Sequence, residues 1–177
     1  MAGITFRAEL DDAQARARLA ELASRMENLA GFYKNVGEYM TDEAIPRNFA
    51  SETGPDGTPW ASLRPLTLER RKKAGITATT ILRATSRMAA GINYQASDTQ
   101  LLIGSPAPQA AVMHFGAPQG SFGAKMGRTK PSAKRAKSQD FFMHMPWGDI
   151  PARPFLGFSA ADEAEVIRIA EVWLETL

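Results

Sequence analysis

The chain has 177 residues, of which 44% are hydrophobic and 23% are charged, and its formal net charge is +2. This length suits one domain with its own core, and the composition argues against a chain that is disordered throughout. Because the chain contains no cysteine, disulfides and thiolate chemistry are excluded, which fits assembly in a reducing cytoplasm. We expect no signal peptide and no contact with a membrane, since no apolar run reaches the roughly 20 residues of a membrane span.

The N-terminal part predicts a short strand followed by helices. Ile4, Phe6, Ala8 and Leu10 alternate with other residues, which is typical of a half-buried strand. From Asp12 onward apolar residues recur in steps of three and four, which predicts one helical face. That face comprises Ala15, Leu19, Leu22, Met26, Leu29, Tyr33, Val36 and Met40. The pattern indicates two helices, or one bent near Gly31, that end between Ala44 and Phe49 and pack on a sheet rather than forming a coiled coil.

The next segment combines turns with a basic helix. Pro55-Asp56-Gly57 predicts a tight turn, after which Trp60 and Leu63 should cover the open end of the helical layer. We expect Thr67 to cap a helix over Leu68–Ala74 that stops at Gly75. This helix carries Arg70, Arg71, Lys72 and Lys73 against the single acid Glu69.

The middle of the chain predicts short elements. Ile81–Ala89 is interpreted as a helix, and Gly91–Ser97 with Gln100–Ser105 as a β-hairpin that turns near Asp98. Ala110–Phe115 fits either a helical turn or a strand, because six residues do not separate the two periods.

A basic segment, defined here as residues 117–139, differs in composition from the rest of the chain. Its cations are Lys125, Arg128, Lys130, Lys134, Arg135 and Lys137, and it has few large apolar residues. Such a composition does not build a core, so we expect an extended loop or arm. The cluster that follows, Phe141–Trp147, is apolar and predicts a strand.

The strap, defined here as Ile150–Ser159, precedes the last helix. Pro151 and Pro154 favour an extended backbone, and Phe155, Leu156 and Phe158 are expected to form an apolar plug. Ser159 is a suitable N-cap, with Asp162 in the first turn. Arg153 is the one charge of the strap, and it fits an internal salt bridge or carbonyl contact as well as a partner-binding role.

The final helix, Ala160–Leu177, has an apolar and an acidic face. The apolar face is predicted to comprise Val166, Ile167, Ala170, Trp173, Leu174 and Leu177. The other face carries Asp162, Glu163, Glu165, Glu171 and Glu175 against Arg168.

The residues predict no catalytic or metal site. His114 and His144 each lie among apolar residues without further ligands at metal-binding spacing, which favours structural histidines. Gly123–Thr129 departs from the phosphate-loop spacing, and no serine sits on a nucleophile-elbow pattern. We therefore expect no enzyme activity and no cofactor. The basic segment is left with three interpretations: contact with DNA phosphates, contact with the acidic face of a neighbouring subunit, or solvation.

Several stretches, in chain order, resemble the phage virion morphogenesis family, the tail-completion proteins of Mu-like phages. The matching stretches are Phe49, Pro55–Leu63, Thr67 with the basic helix, Ile81–Thr85, Ile103–Ser105, Ala110–Gly116 and Pro151–Ser159. The sequence departs from the family pattern at Ser86, where the family often has glycine, and at Met88 and Gln109. Its histidine lies at His114, one place later than in the family, so a special role of that histidine does not transfer.

The resemblance implies an assembly function. We expect a structural virion protein that assembles in the host cytoplasm as a homo-oligomeric ring, with a hexamer favoured, at the head–tail junction or tail top. Its partners would be the tail tube and neck or connector proteins, close to packaged DNA. The alternatives are a neck or head-closure component and, from another class, a DNA-binding module that uses the basic segment.

The expected fold class is α+β. N-terminal helices and a C-terminal helix would pack on a small, mostly antiparallel sheet in a single domain over residues 1–177, with 117–139 as a basic loop or arm. The predicted partner-binding residues are Lys125, Arg128, Lys130, Lys134, Arg135, Lys137, Phe141, Phe142, Trp147 and Arg153.

Overall fold

A computed structural model describes residues 12–128, 140–144 and 149–175, with only the backbone described for 124–128 and 140–144. In chain order the elements are α1 (Ala13–Glu27), α2 (Ala30–Tyr39), a π-helical turn (Met40–Ala44), α3 (Ile45–Ser51), α4 (Pro65–Lys73), α5 (Arg87–Ala90), β1 (Asn93–Ala96), β2 (Leu101–Gly104), α6 (Ala110–Phe115), β3 (Ala124–Arg128), β4 (Asp140–His144) and α7 (Ala160–Glu175). The predicted α+β class is confirmed. The strand predicted over Ile4–Leu10 lies outside the described residues.

The N-terminal helices are separated at Asn28 and Leu29 rather than at Gly31. Asn28 adopts an extended backbone, and its side-chain oxygen accepts a hydrogen bond from the Ala30 N–H at 3.2 Å. Helix α2 then continues through the π-helical turn into α3. Pro46 lies at the start of α3, where its missing N–H is tolerated. The helical run therefore ends at Ser51, close to the predicted end.

Helix α2 lies at the centre of the fold, in contact with β1, β2 and α7. Gly37 permits the contact with β1, because a Cβ atom there would lie 2.4 Å from the Tyr94 ring. The core is formed by Val36, Met40, Ala44, Ile45, Phe49, Trp60, Ile81, Met88, Ala110 and Phe155. The predicted burial of Trp60 is confirmed.

Helix α1 does not pack as predicted. It has the expected apolar stripe, yet none of its residues is buried, and Leu19 and Met26 are 65% and 68% exposed. Periodicity identifies an apolar helical face but does not identify what covers it. In the described part of the chain the sheet therefore covers α2 and not the face of α1.

Two further helices differ from the predictions. Helix α4 begins at Pro65, with Arg64 at its N-cap, so Thr67 lies in the first turn and is not the cap. The helix predicted over Ile81–Ala89 is reduced to α5.

Tertiary hydrogen bonds explain the short α5. The Ile81 N–H donates to the Glu52 carboxylate at 2.7 Å, and the Arg71 guanidinium donates to the carbonyls of Ala78 and Thr80 at 2.9 and 2.8 Å. Leu82 and Ser86 adopt positive φ angles of 57° and 56°, which interrupt a right-handed helix.

The first hairpin confirms its prediction. Strands β1 and β2 pair antiparallel, with Tyr94 opposite Ile103, and the Ser97 N–H closes the turn on the Gln100 carbonyl at 2.9 Å. Ala110–Phe115, for which two interpretations were open, is a helix.

The basic segment contains a strand that composition did not predict. Strand β3 pairs antiparallel with β4, with Arg128 opposite Asp140. The segment therefore begins as one arm of a hairpin, and residues 129–139 lie outside the described residues. The predicted Phe141–Trp147 strand is observed as Asp140–His144.

Helix α7 is rotated relative to the predicted apolar face. Val166 and Ile169 pack against the core, whereas Ile167 is 60% exposed and Leu174 is 37% exposed. Ile167 and Leu174 were therefore wrongly assigned to the buried face. In the part of the chain that is described, no helix has both the length and the hydropathy needed to span a membrane.

Candidate assembly surface

The strap joins three parts of the molecule. Its Ile150 pairs with Ala117 through two backbone hydrogen bonds of 2.9 and 2.8 Å, and the Arg153 N–H donates to the Met113 carbonyl of α6 at 2.9 Å. Gly116 allows this close approach, since its φ is 78° and a Cβ atom would lie 2.8 Å from the Ile150 oxygen. The strap is thus held along α6 by its own backbone.

Arg153 points into the protein. Its side chain is buried, and the guanidinium donates to the carbonyl oxygens of Ala61 and Ser62 at 2.9 and 3.3 Å. Burial, with a further contribution from the nearby charge of Arg71, lowers the pKa of Arg153. This is the carbonyl contact proposed from the sequence. We therefore interpret Arg153 as a residue that stabilises the fold and not as one that binds a partner.

The aromatic residues of the strap have different environments. Phe155 is 1% exposed and lies between Phe49, at 5.6 Å between ring centroids, and His114, at 5.1 Å. Trp60 donates from its indole N–H to the Pro154 carbonyl at 2.7 Å. Phe158, however, is 48% exposed, so only part of the predicted plug is buried.

His114 is a packed, hydrogen-bonded side chain. Its Nδ1 atom accepts the Phe155 N–H at 3.3 Å, and burial lowers the pKa of its imidazole. Neutral His114 therefore supports the strap. In the described ranges, no group of three or more His, Asp or Glu side chains is arranged to hold a metal ion.

A buried carboxylate connects the end of the strap to the N-terminal helices. Asp162 is fully buried; it accepts the Ser159 N–H at 2.8 Å and the Ser159 hydroxyl at 2.6 Å, and its own N–H donates to the Ser159 oxygen. This reciprocal arrangement confirms Ser159 as the cap of α7. Asp162 also accepts the Tyr39 hydroxyl at 2.7 Å and Arg47 at 2.5 Å.

The electrostatics of this cluster favour the ionised acid. Burial alone would raise the pKa of Asp162, but hydrogen bonds from Ser159, Tyr39 and Arg47 outweigh it and lower the pKa to about 2. Burial and the hydrogen bond to Asp162 raise the pKa of Tyr39. The cluster therefore fixes α7 against α2 and α3 with one permanent negative charge.

The predicted partner-binding residues divide into three groups. Lys125 and Arg128 lie on β3, and Phe141 and Phe142 on the neighbouring β4, so the backbone pairing brings these four close in the hairpin. Lys130, Lys134, Arg135, Lys137 and Trp147 lie outside the described residues. Arg153 differs from the other two groups, because its side chain is buried inside the protein.

The acidic residues of α7 form the counterpart to the basic segment. Glu163, Glu171 and Glu175 are exposed, and Arg168 pairs with Glu165 through its Nε atom at 2.8 Å. The hydrogen bond from Arg168 lowers the pKa of Glu165. This surface stays negatively charged at neutral pH, as the sequence predicted.

Exposed apolar side chains are the feature that sequence reasoning missed. Phe115 is 77% exposed at the end of α6, and Leu19, Met26 and Ile167 are each at least 60% exposed. Leu19, Met26 and Ile167 were assigned to apolar helical faces because they follow helical spacing. The sequence does contain an indication of this exposure. It predicts more apolar helical faces than one small sheet can cover.

A basic surface on α4 was noticed in the sequence and is exposed in the structure. Arg70, Lys72 and Lys73 are exposed, whereas Arg71 is engaged with the carbonyls of Ala78 and Thr80. Arg64 pairs with Asp149 next to the strap at 2.5 Å. Three basic side chains of this helix thus remain exposed to solvent.

An open apolar groove lies between α2, β2, the strap and α7. Its volume is about 410 Å³, and its lining includes Phe32, Val36, Leu101, Ile103, Phe158 and Val166. In this groove the core of the fold opens to solvent.

Comparison with known proteins gives one match. A family model described as the phage virion morphogenesis family matches residues 10–175 of the chain, which is nearly its whole length. A search of curated proteins and a search of solved structures returned no significant match.

Proposed function

The chain belongs to the phage virion morphogenesis family, and from this premise we propose that it is a structural protein that forms a ring at the head–tail junction or tail top. In this role it completes the tail and joins it to the head. Its partners are further copies of itself, the tail tube, and neck or connector proteins. The family membership indicates a role in assembling the virion, and the ring and its location are our proposal.

The observation that carries the proposal is the number of apolar side chains that a single subunit leaves exposed. These exposed side chains lie on α1, α6, the strap and α7. They are Leu19, Met26, Phe115, Phe158 and Ile167. Leu19 and Met26 lie on one face of α1, and a contiguous exposed apolar patch of this kind is typical of a surface that is buried against a partner. An assembly role supplies those partners.

Charge separation supports contacts between subunits. The basic segment and the acidic surface of α7 lie in different parts of one chain and have opposite signs. Two different surfaces that pair between copies make a head-to-tail contact, and such contacts close into a ring when the rotation allows. A single exposed ion pair contributes only about 0–1 kcal/mol, so several pairs must act together at each boundary.

The experiment reverses the charge of three side chains in the basic segment. Lys134, Arg135 and Lys137 changed together to Glu should leave the monomer folded but block its incorporation into particles. Phage that carry this variant should yield filled heads and separate tails that do not join. Changing Arg70, Lys72 and Lys73 of α4 to Glu is the matched control, and it should leave joining intact. Infectious particles with the first triple substitution would contradict the charge-pairing mechanism.

A neck or head-closure component is the alternative within structural proteins, and the location of the protein in particles separates the two. A DNA-binding role would use the basic segment together with the exposed Arg70, Lys72 and Lys73 of α4. Binding through phosphates weakens steeply as salt rises, so DNA affinity with a strong salt dependence would support that role.

A further inference from the structure

We propose that the apolar stripe of α1, defined here as Leu19, Leu22 and Met26, docks in the groove of a second copy of this chain. This inference rests on the proposed ring and names the contact that builds it. The juxtaposition behind it is a helix whose apolar face is exposed among the described residues and an apolar groove that is open, both present on one subunit.

The first half of the contact is α1 itself. Leu19, Leu22 and Met26 follow at intervals of three and four residues, so they lie on one face of the helix. Leu19 is 65% exposed and Met26 is 68% exposed. An amphipathic helix that inserts anchors at this spacing into an apolar groove is a recurrent mode of protein recognition.

The second half is the groove. Its walls are Phe32 and Val36 of α2, Leu101 and Ile103 of β2, Phe158 of the strap and Val166 of α7. Phe158 is 48% exposed at this site. The lining is therefore apolar on all of its walls, as the stripe requires.

No residue of α1 is among those that line the groove of its own subunit. Its last turn is anchored at two points: Arg25 donates to the Trp173 carbonyl at 3.2 Å, and the Leu29 N–H that follows the helix donates to the Asp98 carbonyl at 3.1 Å. The residues from Ala13 to Glu21 are all exposed. The stripe is thus presented outward, where another subunit can receive it.

Charge favours a second copy as the occupant. Arg18 lies beside the stripe of α1, and α1 carries three arginines against two glutamates. Beyond the apolar lining, Glu163 of α7 is exposed one turn before Val166, which lines the groove. Arg18 of the incoming helix therefore meets an acid at the edge of the groove when the stripe is seated.

Each subunit would donate one helix and receive another. The two surfaces differ, so the contact is heterologous and propagates from subunit to subunit until a ring closes. The charge pairing between the basic segment and α7 then acts beside an apolar contact.

The test uses engineered cysteines in the full chain, which has no native cysteine. Leu19→Cys and Phe158→Cys are purified separately, mixed with and without tail tubes, and oxidised. Ala17→Cys replaces Leu19→Cys in the matched control, because residue 17 lies on the opposite face of α1. The double variant Leu19→Cys/Phe158→Cys is oxidised in parallel.

We expect several-fold more disulfide-linked dimer from the Leu19→Cys and Phe158→Cys mixture than from the Ala17→Cys control. The double variant should give a ladder of linked oligomers. Equal yields from both mixtures would overturn the proposed contact, and so would a double variant that links only within one chain.

The failure of this contact and the failure of the ring are distinguishable. If wild-type subunits assemble on tail tubes but the cysteines do not link, the contact is refuted and the ring stands. If the wild-type chain stays monomeric in both conditions, the ring fails and this contact fails with it.

Discussion

At the scale of single residues, Asp162 connects three elements of the described chain. Its carboxylate joins the cap of α7 at Ser159 to Tyr39 of α2 and Arg47 of α3. Hydrogen bonds donated to a carboxylate favour its anionic form, because a protonated carboxyl group accepts them more weakly and carries a donor of its own. The strap is therefore joined to the helices by an interaction that depends on pH.

The pH dependence has a defined sign. The folded-state pKa of Asp162 is about 2, below its ordinary value of 3.8. Its contribution to the free energy of unfolding is thus fully present above about pH 4 and is lost as the pH falls through about 2, in total about 2 kcal/mol. Asp162→Asn should lower the stability at neutral pH by at least that amount, and the difference from wild type should shrink at pH 2. Urea unfolding of both proteins across this range provides the measurement.

Glu163→Gln is the control, since Glu163 is an exposed acid next to Asp162. Its unfolding curve should follow that of wild type at each pH. A pH-independent difference between wild type and Asp162→Asn would contradict a role of the charge at Asp162.

Ser86 provides a second prediction for a single residue. It has φ 56° and ψ −6°, a left-handed conformation that glycine adopts without steric cost, and its side chain makes no cap hydrogen bond. Ser86→Gly should therefore raise the free energy of unfolding, by about 0.5–1 kcal/mol once the added freedom of the unfolded chain is counted. Ser86→Ala keeps the Cβ atom and should give no gain. A lower urea midpoint for Ser86→Gly would show that this conformation carries no strain.

At the scale of elements, α7 is fixed on α2 by its apolar face and by aromatic contacts. The Trp173 ring lies 6.2 Å from the Phe32 ring, and its Nε1 atom lies 3.0 Å from where a Gly31 Cβ would be. These contacts connect the C-terminal end of α7 to the first turn of α2. The two ends of α7 are therefore held independently, by Asp162 at one end and by Trp173 at the other.

Trp173→Ala should destabilise the monomer. Fully buried tryptophans cost about 3–5 kcal/mol on truncation, and for this partly buried one we expect about 2–3 kcal/mol. Ile167→Ala lies on the same helix but is 60% exposed, and should change the stability by less than about 0.5 kcal/mol. An unchanged urea midpoint for Trp173→Ala would mean that this part of α7 is not held by its own domain.

The elements that the sequence predicted are those specified by local chemistry. The turn of the first hairpin, the stop of α4 at Gly75 and the Ser159 cap each depend on one or two residues with fixed backbone or hydrogen-bonding preferences. The helix predicted over Ile81–Ala89 is not observed at full length because the Ile81 N–H donates to the Glu52 carboxylate, 29 residues away in sequence. Arg71 also donates to the carbonyls of Ala78 and Thr80, which fixes the turn just before this segment. The pairing of β3 with β4 was not predicted for a related reason, since the composition of one strand does not indicate its partner.

The candidate surface was only partly predictable. The basic segment and the acidic face of α7 were predicted from the charged residues alone, because charged side chains are mostly exposed whatever the packing. The apolar stripe of α1 was recognised but assigned to the core. The internal role of Arg153 depends on the carbonyls of Ala61 and Ser62, which only the fold brings within reach.

At the scale of the whole molecule, the internal and external roles are separated. The strap, the Asp162 cluster and α2 hold one subunit together. The stripe of α1, the groove, the basic segment and the acidic face of α7 are the surfaces that the proposed ring would use. Under this proposal a subunit can fold as a monomer and assemble without unfolding its core.

The most direct test of the central claim, that this protein assembles as a ring of identical subunits, is its mass in solution with and without tail tubes. One subunit has a mass of 19.3 kDa. The account predicts a shift from this mass to a single closed multiple of it, with a hexamer favoured, when tail tubes are present. A protein that remains at the mass of one subunit in the presence of tail tubes would contradict the account.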